Sequence, residues 1–313
     1  MGMALIVHGG AGHIPAERHE AARAGCRAAV EAGWRALLAG GSALDAAQAA
    51  IMALEDDPSF NAGTGATLTA DGRAELDAGL MDGETLSVGA VAGVERIKNP
   101  IALARAVMAS PHVLLIGAGA EQFATESGIA LIEPATLITE AQRGRWQRGY
   151  SDAEAQADAA LRGLDTGGVS QHVHTDSDKH GTVGAVAIDA RGRIAAGAST
   201  GGLAGKHPGR VGDTPLPGCG YIAEDGIGGV ASTGHGEAFI RLTLARRALE
   251  FMAGGMSAQA AAEAAIRLLG ERTDGQGGMI ILDAQGRPGF ARNTAAMAYA
   301  YMLEGAAEIV AGV

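Results

Sequence analysis

Lys179-His180-Gly181-Thr182-Val183-Gly184-Ala185-Val186 is the stretch on which the reading of this chain turns. Before it, residues 164–180 end in the run DTGGVSQHVHTDSDKH, which is polar, turn-rich and without apolar periodicity, as an exposed and mobile linker would be. After it, the apolar run from Val183 to Ile188 reads as a buried strand with Thr182 at its head. That position suits a threonine that becomes a chain terminus. A threonine hydroxyl is a weak nucleophile that needs an adjacent base, and a freed α-amino group, with an ordinary pKa of roughly 7.7–8.0, supplies one near neutrality. One residue then carries both roles. Gly181 has no side chain, so its carbonyl lies open to attack by the Thr182 hydroxyl in a strained turn. On its own, a Gly-Thr pair is usually only the start of a strand.

Working outward, Ala4 to Val7 reads as a short buried strand ending in His8-Gly9-Gly10-Ala11-Gly12, followed by alanine-rich helical periodicity from about Pro15 to Leu38. A second helix starts after Ser42, a good N-cap, and runs to about Leu54. Three strand-like runs, ATLTA, AELDAGLMD and LSVGAVAGV, lie between Ala66 and Val94, with Asp71-Gly72 and Asp82-Gly83-Glu84 turns between them. They predict an antiparallel meander. A helix near Ile101–Ala109, the strand HVLLIGA and a helix from about Glu121 follow. Beyond the linker come the strands TVGAVAID and RIAAGAST, a glycine- and proline-rich loop from Gly201 to Gly220, helices near Glu237–Ala253 and Ser257–Leu269, and strands at MIILDA, PGFAR and MAYAYM. Runs of strands flanked by helices predict an α/β (α+β) fold of two stacked sheets covered by helical layers.

Composition narrows the class of function. With 313 residues and 47% hydrophobic content the chain can bury a sizeable core, and 49 glycines favour tight turns and close backbone approach. A formal charge of −11 with dispersed basic residues argues against a nucleic-acid surface. Cys26 and Cys219 show no paired spacing, so neither a disulfide framework nor a thiolate metal site is expected. The start MGMALIVHGG lacks a basic leader, and no apolar run approaches ~18 residues, so a cytoplasmic protein without membrane contact is expected.

Three motifs point elsewhere and are set aside. Gly117-Ala118-Gly119 imitates a dinucleotide fingerprint, but Gln122 stands where its third glycine belongs. Gly197-Ala198-Ser199-Thr200-Gly201 matches a serine-hydrolase elbow with Ser199 as nucleophile, yet a loop rather than a helix follows it. His172, His174, Asp176 and His180 have metal-ligand chemistry but sit in the linker with no scaffold to fix them. Downstream of Thr182 the signals are more coherent. Gly209-Arg210-Val211-Gly212-Asp213 places a cation and an anion on one loop, able to grip the carboxylate and ammonium of an amino acid, or else to form an exposed ion pair. Thr233-Gly234-His235-Gly236-Glu237 ends a strand and opens a helix, so its N–H groups either point at a developing oxyanion or simply make a turn.

Taken together, GTVGAVAID, STGG, PGRVGD and TGHGEAFIR, preceded by HGGAG, FNAGTGA, LDAGLMDG and SPHVLLIG, strongly resemble the plant-type asparaginase or isoaspartyl peptidase family. The match covers nearly the whole chain outside the linker. The resemblance implies an N-terminal-nucleophile hydrolase with a four-layer αββα sandwich of two mainly antiparallel sheets, cut into residues 1–181 and 182–313 and assembled as a dimer of such heterodimers. It implies Thr182 as nucleophile, Thr200 as a supporting hydroxyl, and Thr233 and Gly234 as the oxyanion hole. Arg210, Asp213, Gly236 and Asn61 would bind substrate, with L-asparagine and β-aspartyl dipeptides as the substrates. No catalytic cofactor is implied, but the family has a structural sodium loop. Here that loop would use the carbonyls of Leu54, Glu55, Asp57, Phe60, Ala62 and Thr64. The competing readings are a glycosylasparaginase of the same fold, a serine esterase using Ser199, and a non-catalytic binding protein.

Overall fold

The computed structural model describes residues 2–148 and 181–313. The linker and its histidine cluster therefore lie outside the described residues, apart from Gly181. Helix α1 (His19–Leu38) follows a single 3₁₀ turn, Ala16–Arg18, and packs beside α2 (Ala43–Asp56). The expected cap of α2 is present in reciprocal form. Ser42 Oγ accepts from Asp45 N at 3.2 Å while Asp45 Oδ2 accepts from Ser42 N at 2.9 Å, satisfying two N–H groups at the helix start. Helix α3 (Pro100–Met108) begins on a proline, whose missing N–H costs nothing there. The next donor, Ile101 N, is taken by Glu55 Oε1 of α2 at 3.0 Å.

Eight strands form the larger sheet: β1 (Ala4–Gly12), β2 (Leu76–Asp82), β3 (Val88–Val94), β4 (Leu114–Ile116), β5 (Val183–Ile188), β6 (Ile194–Thr200), β11 (Ala296–Leu303) and β12 (Val310–Gly312), in the order β12-β11-β1-β5-β6-β2-β3-β4. The smaller sheet has the order β10-β9-β8-β7, made of β7 (Tyr221–Glu224), β8 (Gly228–Gly234), β9 (Gly277–Asp283) and β10 (Pro288–Arg292). All pairings are antiparallel except β3 with β4. Alternation sorts the side chains into two cores. Leu5, Val7, Val183, Ala185, Ala187 and Ala195 pack under α1, α2 and α3, whereas Ile6, Val186, Ile188, Ala196 and Ala198 meet Val230 and Ile280 of the smaller sheet. Helices α7 (Leu244–Ala253) and α8 (Ala258–Thr273) cover the far side of that sheet. The result is the expected αββα stack. Among the described residues no helix is long and apolar enough to cross a membrane.

Local departures from expectation have identifiable causes. ATLTA is buried as far as Thr69 but is not a strand: Thr67 N donates to Asn61 Oδ1, Thr69 N to Arg73 O and Ala70 N to Lys206 O, so a side chain and two loops take the bonds a ladder would use. The meander therefore has two strands, not three. The helix read over Glu237–Ala253 is two helices, α6 (Gly236–Leu242) and α7, broken at Thr243 with φ 48°. There the carbonyls of Gly218 and Cys219 accept the N–H groups of Arg246 and Ala245, so the preceding loop starts α7 afresh. Helix α4 (Gly117–Glu126) begins earlier than expected, with Gly117-Ala118-Gly119 as its first turn. Helix α5 (Glu140–Gln147) and the short strands β7 and β12 went unread in the sequence.

Candidate active site

Thr182 lies one residue before β5, buried at 6% exposure. Strand β5 pairs with β6 as far as Val183 opposite Ser199, so the next step outward sets Thr182 beside Thr200. Alternation then places Thr182 and Thr200 on the face between the sheets and Ser199 on the helical face, among Ala195 and Ile51. The esterase reading fails on this geometry, because Ser199 is fully buried mid-ladder and residues 201–220 after it form a loop. Thr200 Oγ1 accepts from Gly202 N at 2.9 Å and shapes the STGG turn. The Thr182 hydroxyl meets a residue that sequence reading overlooked, Thr214, with Oγ1 to Oγ1 at 3.2 Å.

Gly181 is wedged between two elements. A Cβ on it would lie 2.3 Å from Thr233 Oγ1, so no larger residue fits before Thr182. Thr233 is fully buried near the end of β8, and its Oγ1 accepts from Ala11 N of the HGGAG loop at 3.3 Å. Gly234 closes β8 and Gly236 opens α6, as the sequence suggested, but α6 spans only seven residues and offers a correspondingly short dipole. His8 lies opposite Gly184, fully buried, and burial pushes its pKa down to about 3, so the ring is neutral.

Arg210 is no exposed ion pair. Its side chain is 16% exposed, and Nε and Nη2 donate to both carboxylate oxygens of Glu237 at 2.8 and 2.7 Å. This fork occupies one edge of the guanidinium and fixes its plane. Burial opposes the Arg210 charge, but Glu237 and then Asp213 raise its pKa. The bidentate partner is thus Glu237, which sequence reading did not single out, and not Asp213. Asp213 is buried with Oδ2 unpartnered among the described residues, and burial pushes its carboxyl up to about 7 against the pull of Arg210. Gly236 leaves the space at this pair, for a Cβ there would sit 2.8 Å from Asp213 Oδ1 and 3.0 Å from Arg210 Nη2. An unpaired carboxylate oxygen beside a half-committed guanidinium is complementary to an ammonium and a carboxylate on one carbon.

Asn61 is held differently from a substrate ligand. Its Oδ1 accepts from Thr67 N and its Nδ2 donates to Gly202 O at 2.7 Å, so it fastens the FNAGTGA loop to STGG. The loop at the end of α2 fits a small hard cation. The helical donor to Leu54 O would be the N–H of residue 58, but that residue is a proline, so the carbonyl is left open. Among the described residues no hydrogen bond reaches the carbonyls of Phe60, Ala62 or Thr64, while those of Glu55 and Asp57 each accept one and keep a lone pair. Gly63, at φ 51°, curls the chain so tightly that a Cβ would lie 2.5 Å from Glu55 O. Neutral oxygens from one coil suit a monovalent ion better than a divalent one. Among the described residues no cluster of His, Cys, Asp or Glu could hold another metal.

The family model described as asparaginase matches residues 1–311. The chain belongs to the asparaginase family. A plant-type L-asparaginase of Pyrococcus abyssi is 46% identical, covering 99% of this chain and 100% of its own. An isoaspartyl peptidase/L-asparaginase of Danio rerio is 43% identical over 90% of this chain and 86% of its own, and one of Bos taurus is 42% identical over 91% and 88%. Family membership accounts for the fold and for the order of the motifs. The roles of Thr214 and Glu237 within this asparaginase scaffold come from the contacts described above.

Proposed function

We propose that this chain is an amidohydrolase that converts L-asparagine to aspartate and ammonia and cleaves isoaspartyl dipeptides, with Thr182 as nucleophile. One observation carries the reading: Thr214, which touches the Thr182 hydroxyl, is the residue next to Asp213, so one loop links the nucleophile to the charged pair. The family and its named relatives support the substrate class.

Activation begins when the Thr182 hydroxyl attacks the Gly181 carbonyl, the peptide shifts from N to O, and water hydrolyses the resulting ester. The chain then consists of residues 1–181 and 182–313. The released α-amino group takes the Thr182 hydroxyl proton as the oxygen attacks the substrate's side-chain carbonyl. Thr233 and Gly234 stabilise the oxyanion, ammonia or an amino acid leaves with a proton, and water frees aspartate from the ester. Arg210 and Asp213 hold the α-carboxylate and α-ammonium, with Gly236 leaving room; Thr200 supports the nucleophile, and Asn61 fixes the loop behind it. The carbonyls of Leu54, Glu55, Asp57, Phe60, Ala62 and Thr64 would hold a sodium ion, which would stiffen the same loop. The working particle is a cytoplasmic dimer of the two-piece unit.

The test is to assay purified protein on L-asparagine, β-aspartyl-leucine and a glycosylated asparagine, beside Thr182→Ala. Turnover of the first two, lost in the variant, is expected. Turnover of the glycosylated substrate alone would favour a glycosylasparaginase.

A further inference from the structure

Activation poses a physical problem that the assigned residues do not solve. Thr182 must present its hydroxyl in one direction, although it lies beyond the last β5 ladder pair and, on the proposed reading, becomes a free chain end. Chain ends fray unless something ties them down. Thr200 Oγ1 accepts from Gly202 N and Thr233 Oγ1 from Ala11 N, and among the described residues neither hydroxyl is hydrogen-bonded to Thr182 Oγ1.

Thr214 is free for that purpose and rigidly mounted. It is 1% exposed, and its Oγ1 makes one hydrogen bond among the described residues, to Thr182 Oγ1 at 3.2 Å. The backbone beneath it is clamped. Leu216 N donates to Asp213 O at 2.9 Å, and a Cβ on Gly220 would lie 2.6 Å from Asp213 O and 2.9 Å from Thr214 Cα. Gly220 O in turn accepts from Ser232 N of β8 at 2.8 Å. Thr214 is therefore locked to the smaller sheet, across from the larger sheet that carries Thr182.

We propose that Thr214 is a positioning residue for the nucleophile: its hydroxyl holds the Thr182 side chain in one orientation for both self-cleavage and turnover. The inference rests on Thr182 being the nucleophile. Because Asp213 and Thr214 are adjacent, the same clamped segment sets the substrate's charged end and the attacking oxygen at a fixed separation, which is the condition for productive attack.

The experiment compares Thr214→Val, which keeps the shape and removes the hydroxyl, with Thr214→Ser, which keeps the hydroxyl. The measurements are self-cleavage followed by denaturing gel and kcat and KM on L-asparagine, with Thr182→Ala as the reference. Loss of one neutral hydrogen bond slows both self-cleavage and kcat by about 5- to 10-fold in Thr214→Val, with KM within about twofold. Thr214→Ser is expected within about twofold of wild type in both. The inference is overturned if Thr214→Val matches wild type in either step, if only KM changes, or if the serine variant is as slow as the valine variant. An active Thr182→Ala protein would instead remove the nucleophile assignment beneath it, whatever Thr214 does.

Discussion

Replacing Arg210 with lysine keeps the charge and removes the fork, and the structure says how much that costs. Arg210 gives Nε and Nη2 to Glu237 and has Nη1 and the remaining Nη2 hydrogen for a substrate carboxylate. A lysine ammonium is a single point with no second edge, so it serves Glu237 or the substrate well, but not both. The loss is about one charge-assisted hydrogen bond, roughly 1.5–3 kcal/mol, or about 10- to 150-fold in kcat/KM. Arg210→Ala, which removes the charge as well, is expected to lose kcat/KM by the upper end of that range or more. Self-cleavage is expected to run at the wild-type rate in both, because the uncut chain has no free aspartyl end to grip. The assay is paired: the fraction cleaved after a fixed incubation, and kcat/KM on asparagine with the cleaved protein. Wild-type turnover by Arg210→Lys would refute the shared-guanidinium argument, and failure of both variants to cleave would show that the arginine serves the fold first.

Thr182→Ala is expected to give an uncut, inactive, folded chain, while Thr182→Ser cleaves and turns over slowly because it loses the methyl group that restricts its rotamer; gel and asparagine assay read both. Ser199→Ala is expected to keep full activity, since strand alternation turns that hydroxyl away from Thr182, toward Glu55 of α2. Asp213 must be ionised to hold an ammonium, and burial raises its pKa from 3.8 to about 7, so kcat/KM is expected to rise through a limb centred near 7 that Asp213→Asn abolishes at low activity, leaving only the limb of the Thr182 α-amino group at roughly 7.7–8.0. Because the folded value lies above the unfolded one, the stability this group contributes is full below pH 3.8 and is lost as pH rises through about 7. Asp213→Asn is therefore expected to melt higher than wild type at pH 8. Replacing sodium with choline at equal ionic strength should lower the melting temperature, and an unchanged value would remove the ion from the α2 loop.

The sequence was most legible where local chemistry and tertiary structure agree. The Ser42 N-cap, the apolar runs of β5 and β6, and the loop after Thr200 could be read because each is decided within a few residues. ATLTA misled because its alternating threonines satisfy strand periodicity while Asn61 and two loops take its hydrogen bonds. The break at Thr243 depends on carbonyls of the 218–219 loop, which no local window contains. At the site, Thr182, Arg210 and Asp213 stood out through their glycine-flanked motifs. Thr214 and Glu237 did not, since they meet Thr182 and Arg210 across 32 and 27 residues, and only folding brings them together.

The strand order has a consequence for how such a chain can be made. Strand β1 lies between β11 and β5, so the first strand of the sequence is inserted between two strands from beyond residue 181. The smaller sheet lies wholly within 182–313, but neither stretch owns a finished larger sheet. Synthesised separately, residues 182–313 would carry a strand-wide slot with two bare edges, and such edges invite pairing with foreign chains. If the chain is cut before Thr182 as proposed, the architecture sets the order of events: one ribosomal product folds whole first, as a keystone is set before the scaffolding comes away.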